Sequence, residues 1–198
     1  MIAAVLFDFG GVLAEEGFHD GLRAIGIKYG HDPEDFFHTV DALIYETGYL
    51  TGREDEAAFW TTVKRRTGIR ADDNTLRKEI LTRFILRPEM LAQVDLLRHR
   101  GISVAILSDQ TNWLEEINED TALYKRFDRV FNSFRVRKSK RDATIFADVC
   151  AALSVKPNEV LFVDDNINHV RRAKAQGLQT IHFVGIDDFK KQLVNYVP

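Results

Sequence analysis

The stretch IAAVLFDFGGVL, residues 2–13, decides the fold. Its first six residues are apolar without a break, and Asp8, Gly10 and Gly11 end the run. A short segment that is apolar on both faces and stopped by glycine predicts a buried strand of a parallel sheet. Three later runs share this character, at residues 102–107, 160–163 and 178–184, and a weaker one surrounds Val130 and Phe131.

Helical periodicity separates the later runs. Pro88 suits a first helical turn, and Met90, Leu91, Val94 and Leu97 follow at three- and four-residue spacing before Gly101. Residues 142–153 and 166–176 predict two more crossover helices, and Phe189, Leu193 and Val197 mark a terminal one. Strand and helix alternating from residue 88 onward predict an α/β fold, a Rossmann-like parallel sheet with helices on both faces. Residues 14–85 break the alternation. Phe36, Phe37, Val40, Leu43 and Ile44 share one helical face, and Phe59, Trp60, Val63, Leu76, Ile80, Leu81, Phe84 and Ile85 continue the pattern without a strand. The expected organisation is an α/β core of residues 1–13 and 86–198, interrupted by an all-helical insertion of residues 14–85.

Composition agrees. The 198 residues exceed one domain of about 150 by roughly fifty, which an insertion absorbs. The 45% hydrophobic and 29% charged fractions exclude bulk disorder. With 27 basic and 30 acidic side chains, the net charge of −3 argues against a nucleic-acid or membrane-surface binder. The single cysteine, Cys150, excludes an internal disulfide and points to a cytoplasmic protein. The apolar start is too short to span a bilayer and has no basic residue before it, so no signal peptide is expected.

In parallel α/β sheets ligands bind beyond the carboxyl ends of the strands. There the chain places Asp8, then Ser108-Asp109, then Asp164-Asp165, with the basic stretch 135–141 between the last two. Clustered carboxylates repel one another, and a divalent cation relieves this. An oxygen-rich set suits Mg²⁺. Acids, Mg²⁺, a hydroxyl and a lysine together form an anion site suited to phosphate.

The segments VLFDFGGVL (5–13), VAILSD (104–109), SKRDATIF (139–146) and VLFVDDNINHV (160–170) resemble the four ordered motifs of the haloacid dehalogenase superfamily. The likeness spans nearly the whole chain, and the insertion resembles that family's C1 helical cap. The DFGGVL form is similar to a subgroup of sugar-phosphate phosphatases and to the phosphatase domain of soluble epoxide hydrolases. The resemblance implies a Mg²⁺-dependent phosphatase of small phosphorylated metabolites, with Asp8 as nucleophile forming an aspartyl-phosphate. It implies Mg²⁺ held by Asp8, the Gly10 carbonyl, Asp164 and Asp165. Ser108, Asp109 and Lys140 are expected at the phosphate, with Lys140 rather than Lys138 in register. A 2-haloacid dehalogenase and a degenerate, ligand-binding member are the alternatives. Dehalogenases of the family typically carry tyrosine at the position of Gly10 and lack the paired acids.

Two positions depart from the family pattern. His169 stands where asparagine or aspartate is common. Gly10 replaces the aspartate that serves most of these phosphatases as general acid, so leaving groups that depart without a proton are expected to be favoured. Glu15, Glu16, His19 and Asp109 are the candidates to substitute for it.

Overall fold

The computed structural model describes residues 1–197. One sheet contains β1 (Ala4–Phe7), β2 (Ser103–Ser108), β3 (Arg129–Asn132), β4 (Val160–Asp164) and β5 (Gln179–His182). Its order is β3-β2-β1-β4-β5, and every pairing is parallel. β1 is central, and each of its residues is buried because it has neighbours on both edges and layers on both faces. Alternation across the pleat divides the apolar side chains between two clusters. Val5, Phe7, Val104, Ile106, Leu161 and Val163 enter one; Leu6, Ala105, Leu107 and Phe162 enter the other with Ile145, Phe146 and Val149.

Between β1 and β2 lie α1 (Gly17–Lys28), α2 (Pro33–Glu46), α3 (Glu56–Thr67) and α4 (Asp73–Leu81), with no strand among the described residues. The side chains of Asp32, Asp55 and Asp72 cap the last three, satisfying amides that the first helical turn leaves unpaired. α1 has a different design, with a buried face of Gly17, Gly21, Leu22, Ile25 and Gly26. A Cβ on Gly21 would stand 2.7 Å from the Ile80 Cα, so only glycine lets α1 and α4 approach this closely. The ends of the segment meet: Ala14 forms an antiparallel bridge with Leu86, and the Glu15 and Arg87 amides donate to the Ile85 and Leu13 carbonyls. Trp60 stacks on Trp113 at 6.1 Å, and the Tyr49 hydroxyl donates to Asn112 Oδ1 at 2.6 Å, tying these helices to the loop after β2.

The sheet is completed by α5 (Pro88–His99), α6 (Trp113–Thr121), α7 (Ser133–Val136), α8 (Thr144–Leu153), α9 (Ile167–Ala175) and α10 (Ile186–Leu193). Two boundaries differ from expectation. The outer run at 178–184 pairs only over Gln179–His182, since an edge strand has one neighbour to register with. Val197 falls beyond α10. No helix among the described residues is long and apolar enough to cross a membrane.

Candidate active site

Register assembles the site. Ala4–Phe7 pairs residue for residue with Ser103–Ile106 on one side and with Val160–Val163 on the other. Asp8 and Asp164 therefore emerge at the same level, with Ser108 one step further along β2. Lys140, from the loop before α8, reaches between the two acids. Its Nζ lies 2.6 Å from Asp8 Oδ2 and 2.6 Å from Asp164 Oδ2, and its side chain is 1% exposed. Asp8 Oδ1 accepts hydrogen bonds from the Phe9 amide and the Ser108 hydroxyl, each at 2.7 Å. Asp109 makes no hydrogen bond to Asp8; its Oδ1 accepts the Lys140 amide at 2.8 Å and so fixes the loop that carries the lysine. Lys138 lies outside the site and pairs with Asp148.

Asp164 and Asp165 diverge, as neighbours at the end of a strand must. Asp164 is fully buried; it holds Lys140, accepts the Asn166 amide at 2.7 Å and lies 3.4 Å from His169 Nδ1. Asp165 lines a cavity of about 780 Å³ together with Asp8, Gly10, Glu16, Ser108 and Lys140. Its carboxylate packs over Gly11. A Cβ there would lie 2.1 Å from Asp165 Oδ2, and Gly11 has φ +77°, so the second glycine of the motif admits this acid. Phe18, His19, Phe37, Tyr45 and Leu50 supply walls from residues 14–85. A second depression of about 580 Å³ lies at the amino end of β2, where Arg98 and Asp128 pair with each other.

Arg87 is a contributor that the sequence reading did not single out, and Gly11 was read there only as the end of the strand. Arg87 donates from Nη1 to the Gly11 carbonyl at 2.9 Å and from Nη2 to Glu15 Oε2 at 2.8 Å, which pins the loop after Asp8. The Gly-Gly pair signalled this loop, whereas nothing local marked Arg87.

The electrostatics follow from five acids around one buried cation. Burial raises the Asp8 carboxyl well above its ordinary value; Lys140 pulls it back, and Asp164 and Asp165 push it further up. Burial opposes ionisation of Asp164, but Lys140 and His169 outweigh it and hold this carboxyl well below its usual range. Burial also works against the Lys140 ammonium, yet Asp164, Asp8 and Asp109 keep it above an ordinary lysine. Asp165 is raised by burial and by Asp164. Glu16 is pushed up to about 7, first by burial and then by Asp165.

The donor set fits a hard divalent cation. The carboxylates of Asp8 and Asp165 and the Gly10 carbonyl are all oxygen donors around the cavity, and their mutual repulsion is what such an ion relieves. Ligand-type atoms of Asp8, Asp164 and His169 also converge within 4.8 Å. Two members of this trio, Asp8 and Asp164, already hold the Lys140 ammonium between them.

A prediction arises from Glu16. Its folded pKa of about 7 exceeds the reference value of 4.5, so its ionised form opposes folding. Below about pH 4.5, wild type and Glu16→Gln should be equally stable. Between about pH 4.5 and pH 7 in metal-free buffer the variant should gain on wild type, reaching roughly 3 kcal/mol and levelling off above pH 7. Urea unfolding at pH 4 and pH 8 measures this; no gain at pH 8 would mean that the carboxylate reaches bulk water.

A parallel sheet in this order, with acids at the carboxyl ends of two adjacent inner strands and a lysine between them, defines a Rossmann-like α/β core with a buried charged site at its strand ends. The family model of haloacid dehalogenase-like hydrolases matches residues 2–177, and the chain belongs to that family. It is 30% identical over 161 residues to the drimenol cyclase drtB of Aspergillus calidoustus, covering 76% of this chain and 29% of that protein. It is 29% identical over 126 residues to bifunctional epoxide hydrolase 2 of Sus scrofa, covering 58% and 22%. The chain thus spans less than a third of the length of these curated relatives. Among solved structures it is similar to a HAD-like hydrolase of Porphyromonas gingivalis, with TM-score 0.78, 25% identity and 98% of each chain covered. A HAD family enzyme of Bacteroides thetaiotaomicron, crystallised with magnesium and inorganic phosphate, shares the fold at TM-score 0.71 and 18% identity, covering 91% and 93%. So does the L-2-haloacid dehalogenase of Xanthobacter autotrophicus, at TM-score 0.67 and 23% identity, covering 100% and 84%.

Proposed function

We propose that this chain is a Mg²⁺-dependent phosphatase of small phosphorylated metabolites, with sugar phosphates as the substrate class to test first. The Lys140 ammonium between the Asp8 and Asp164 carboxylates carries this reading. A fixed positive charge beside an acid that opens onto a cavity suits attack on a phosphoryl group, where catalysis is positioning plus charge neutralisation. The Bacteroides enzyme of the same fold, crystallised with magnesium and phosphate, supports it.

In this reading Asp8 attacks phosphorus in line and forms an aspartyl-phosphate, which water then hydrolyses. Ser108, which donates to Asp8 Oδ1 at rest, turns its hydroxyl to a phosphoryl oxygen. Lys140 balances the charge, and Asp109 positions it through the backbone bond. Asp8, Asp165 and the Gly10 carbonyl hold Mg²⁺, which when bound neutralises charge on the phosphoryl oxygens. Asp164 serves the site by anchoring Lys140 and His169 rather than by holding the ion. Residues 14–85 act as the cap: Phe37, Tyr45 and Leu50 face the leaving group and select it.

A screen of sugar phosphates, nucleotides, and acyl and aryl phosphates is expected to show phosphate release that EDTA abolishes and Mg²⁺ restores. Release of halide from 2-haloacids, with no phosphate released from any ester, would overturn the reading.

A further inference from the structure

Hydrolysis of an unactivated phosphate ester needs two proton movements. The departing alkoxide takes a proton, and the attacking water gives one up. Gly10 can do neither, so another group must stand near the scissile bond. Most acids in or beside the cavity are engaged, Asp41 with Arg141 at 3.7 Å among them. Lys140 holds Asp8 and Asp164, Arg87 holds the exposed Glu15, and Asp109 Oδ1 accepts the Lys140 amide. The His19 ring packs edge-on against Phe37 at 4.6 Å.

Glu16 is placed differently. It lies at the entry to α1 and lines the cavity with Asp8, Ser108 and Lys140. Its side chain reaches back over the loop: Oε2 and Oε1 lie 3.0 Å and 3.5 Å from the point where a Cβ on residue 10 would stand. The carboxylate thus fills the space that a short acidic side chain at position 10 would occupy. Among the described residues no cation forms an ion pair with it, and Phe84 closes the other side of the same point at 3.4 Å.

We infer that Glu16 is the general acid and base of this site, delivered from the start of α1 to the place that a side chain at position 10 would otherwise fill. The inference rests on the phosphatase reading. In the first step an Asp8 oxygen forms a bond to phosphorus while the bond from phosphorus to the leaving oxygen breaks. The leaving oxygen keeps the electron pair and takes the proton of Glu16. In the second step a water oxygen bonds to phosphorus and gives a proton to the Glu16 carboxylate. The Asp8–phosphorus bond breaks with its electron pair returning to Asp8. The products are alcohol and phosphate, and Glu16 is protonated again. With an acid present, the penalty on poor leaving groups that Gly10 implies is removed.

The test is Glu16→Gln, nearly isosteric, with folding checked by circular dichroism and melting. On alkyl phosphates, single-turnover cleavage should fall roughly 10²–10⁴-fold, while on p-nitrophenyl phosphate it should fall far less. With that ester the variant should release one equivalent of nitrophenolate rapidly and then turn over slowly, because water attack on the aspartyl-phosphate lacks its base. The double variant Glu16→Ala, Gly10→Asp, which clears the space that the Glu16 carboxylate fills, should recover alkyl phosphate turnover. Gly10 lacks the positive φ that would strain an added side chain. An equal loss on all leaving groups without a burst, or no loss, overturns the role of Glu16 while wild-type turnover upholds the phosphatase reading. A wild type inactive on every phosphate ester overturns both.

Discussion

Replacing Asp8 with asparagine is expected to reduce phosphate-ester turnover by at least about 10⁴-fold while the fold survives. The amide keeps the shape of the carboxylate and an oxygen for the Phe9 amide and Ser108 hydroxyl, which now bond to Oδ1 at 2.7 Å. Lys140 keeps Asp164 as a partner. What disappears is the proposed nucleophile and one anionic ligand of the proposed Mg²⁺ site. Steady-state assay with the best substrate of the screen, together with a melting curve, checks both halves. Activity within tenfold of wild type would exclude covalent catalysis at Asp8.

Lys140→Ala is the second large effect, and it touches stability as well as activity. Removing the ammonium leaves Asp8 and Asp164 buried with no counter-ion between them, a change that costs roughly 3–5 kcal/mol. For a chain of this size that lowers the melting temperature by roughly 10 °C. The deficit should shrink as pH falls, because a proton on Asp8, whose carboxyl burial already raises, relieves the repulsion. Activity should fall with the loss of charge balance at the phosphoryl group. Lys138→Ala is the control: it removes a solvent-screened surface pair with Asp148, which adds little to stability, and leaves turnover unchanged. A reversal of the two would mean that Lys138 is the lysine of the site.

Much of this was readable from residue types. Continuous apolar runs marked the inner strands β1, β2 and β4, because a parallel sheet covered on both faces tolerates few polar side chains; the edge strands β3 and β5 carried weaker, interrupted runs. The buried faces of α2 and α3 are those the periodicity named, Phe36 to Ile44 and then Phe59, Trp60 and Val63. α1 was not individually legible, since glycine contacts replace an apolar stripe. α6 was also missed: only Trp113, Leu114 and Ile117 are buried in a segment that is otherwise mostly acidic.

At the site, strand-end position alone predicted that Asp8, Ser108, Asp109 and the Asp164-Asp165 pair would gather at one edge. The division of labour inside the pair was beyond reach. Which of two adjacent acids turns inward depends on the pleat and on Lys140, a residue 24 positions before Asp164. Glu16 was one of four equal candidates for the missing acid. Only the backbone path from Gly10 to α1, pinned by Arg87, brings its carboxylate over the loop.

Covalent phosphorylation of Asp8 is the central claim, and rapid acid quench tests it most directly. Protein is mixed with Mg²⁺ and saturating p-nitrophenyl phosphate, stopped before one turnover is complete, digested and analysed by mass spectrometry. The peptide containing Asp8 should carry one phosphoryl group, formed at least as fast as the enzyme turns over and absent in Asp8→Asn. Turnover that runs to completion with the Asp8 peptide unmodified at every quench time, and that persists in Asp8→Asn, would contradict the account.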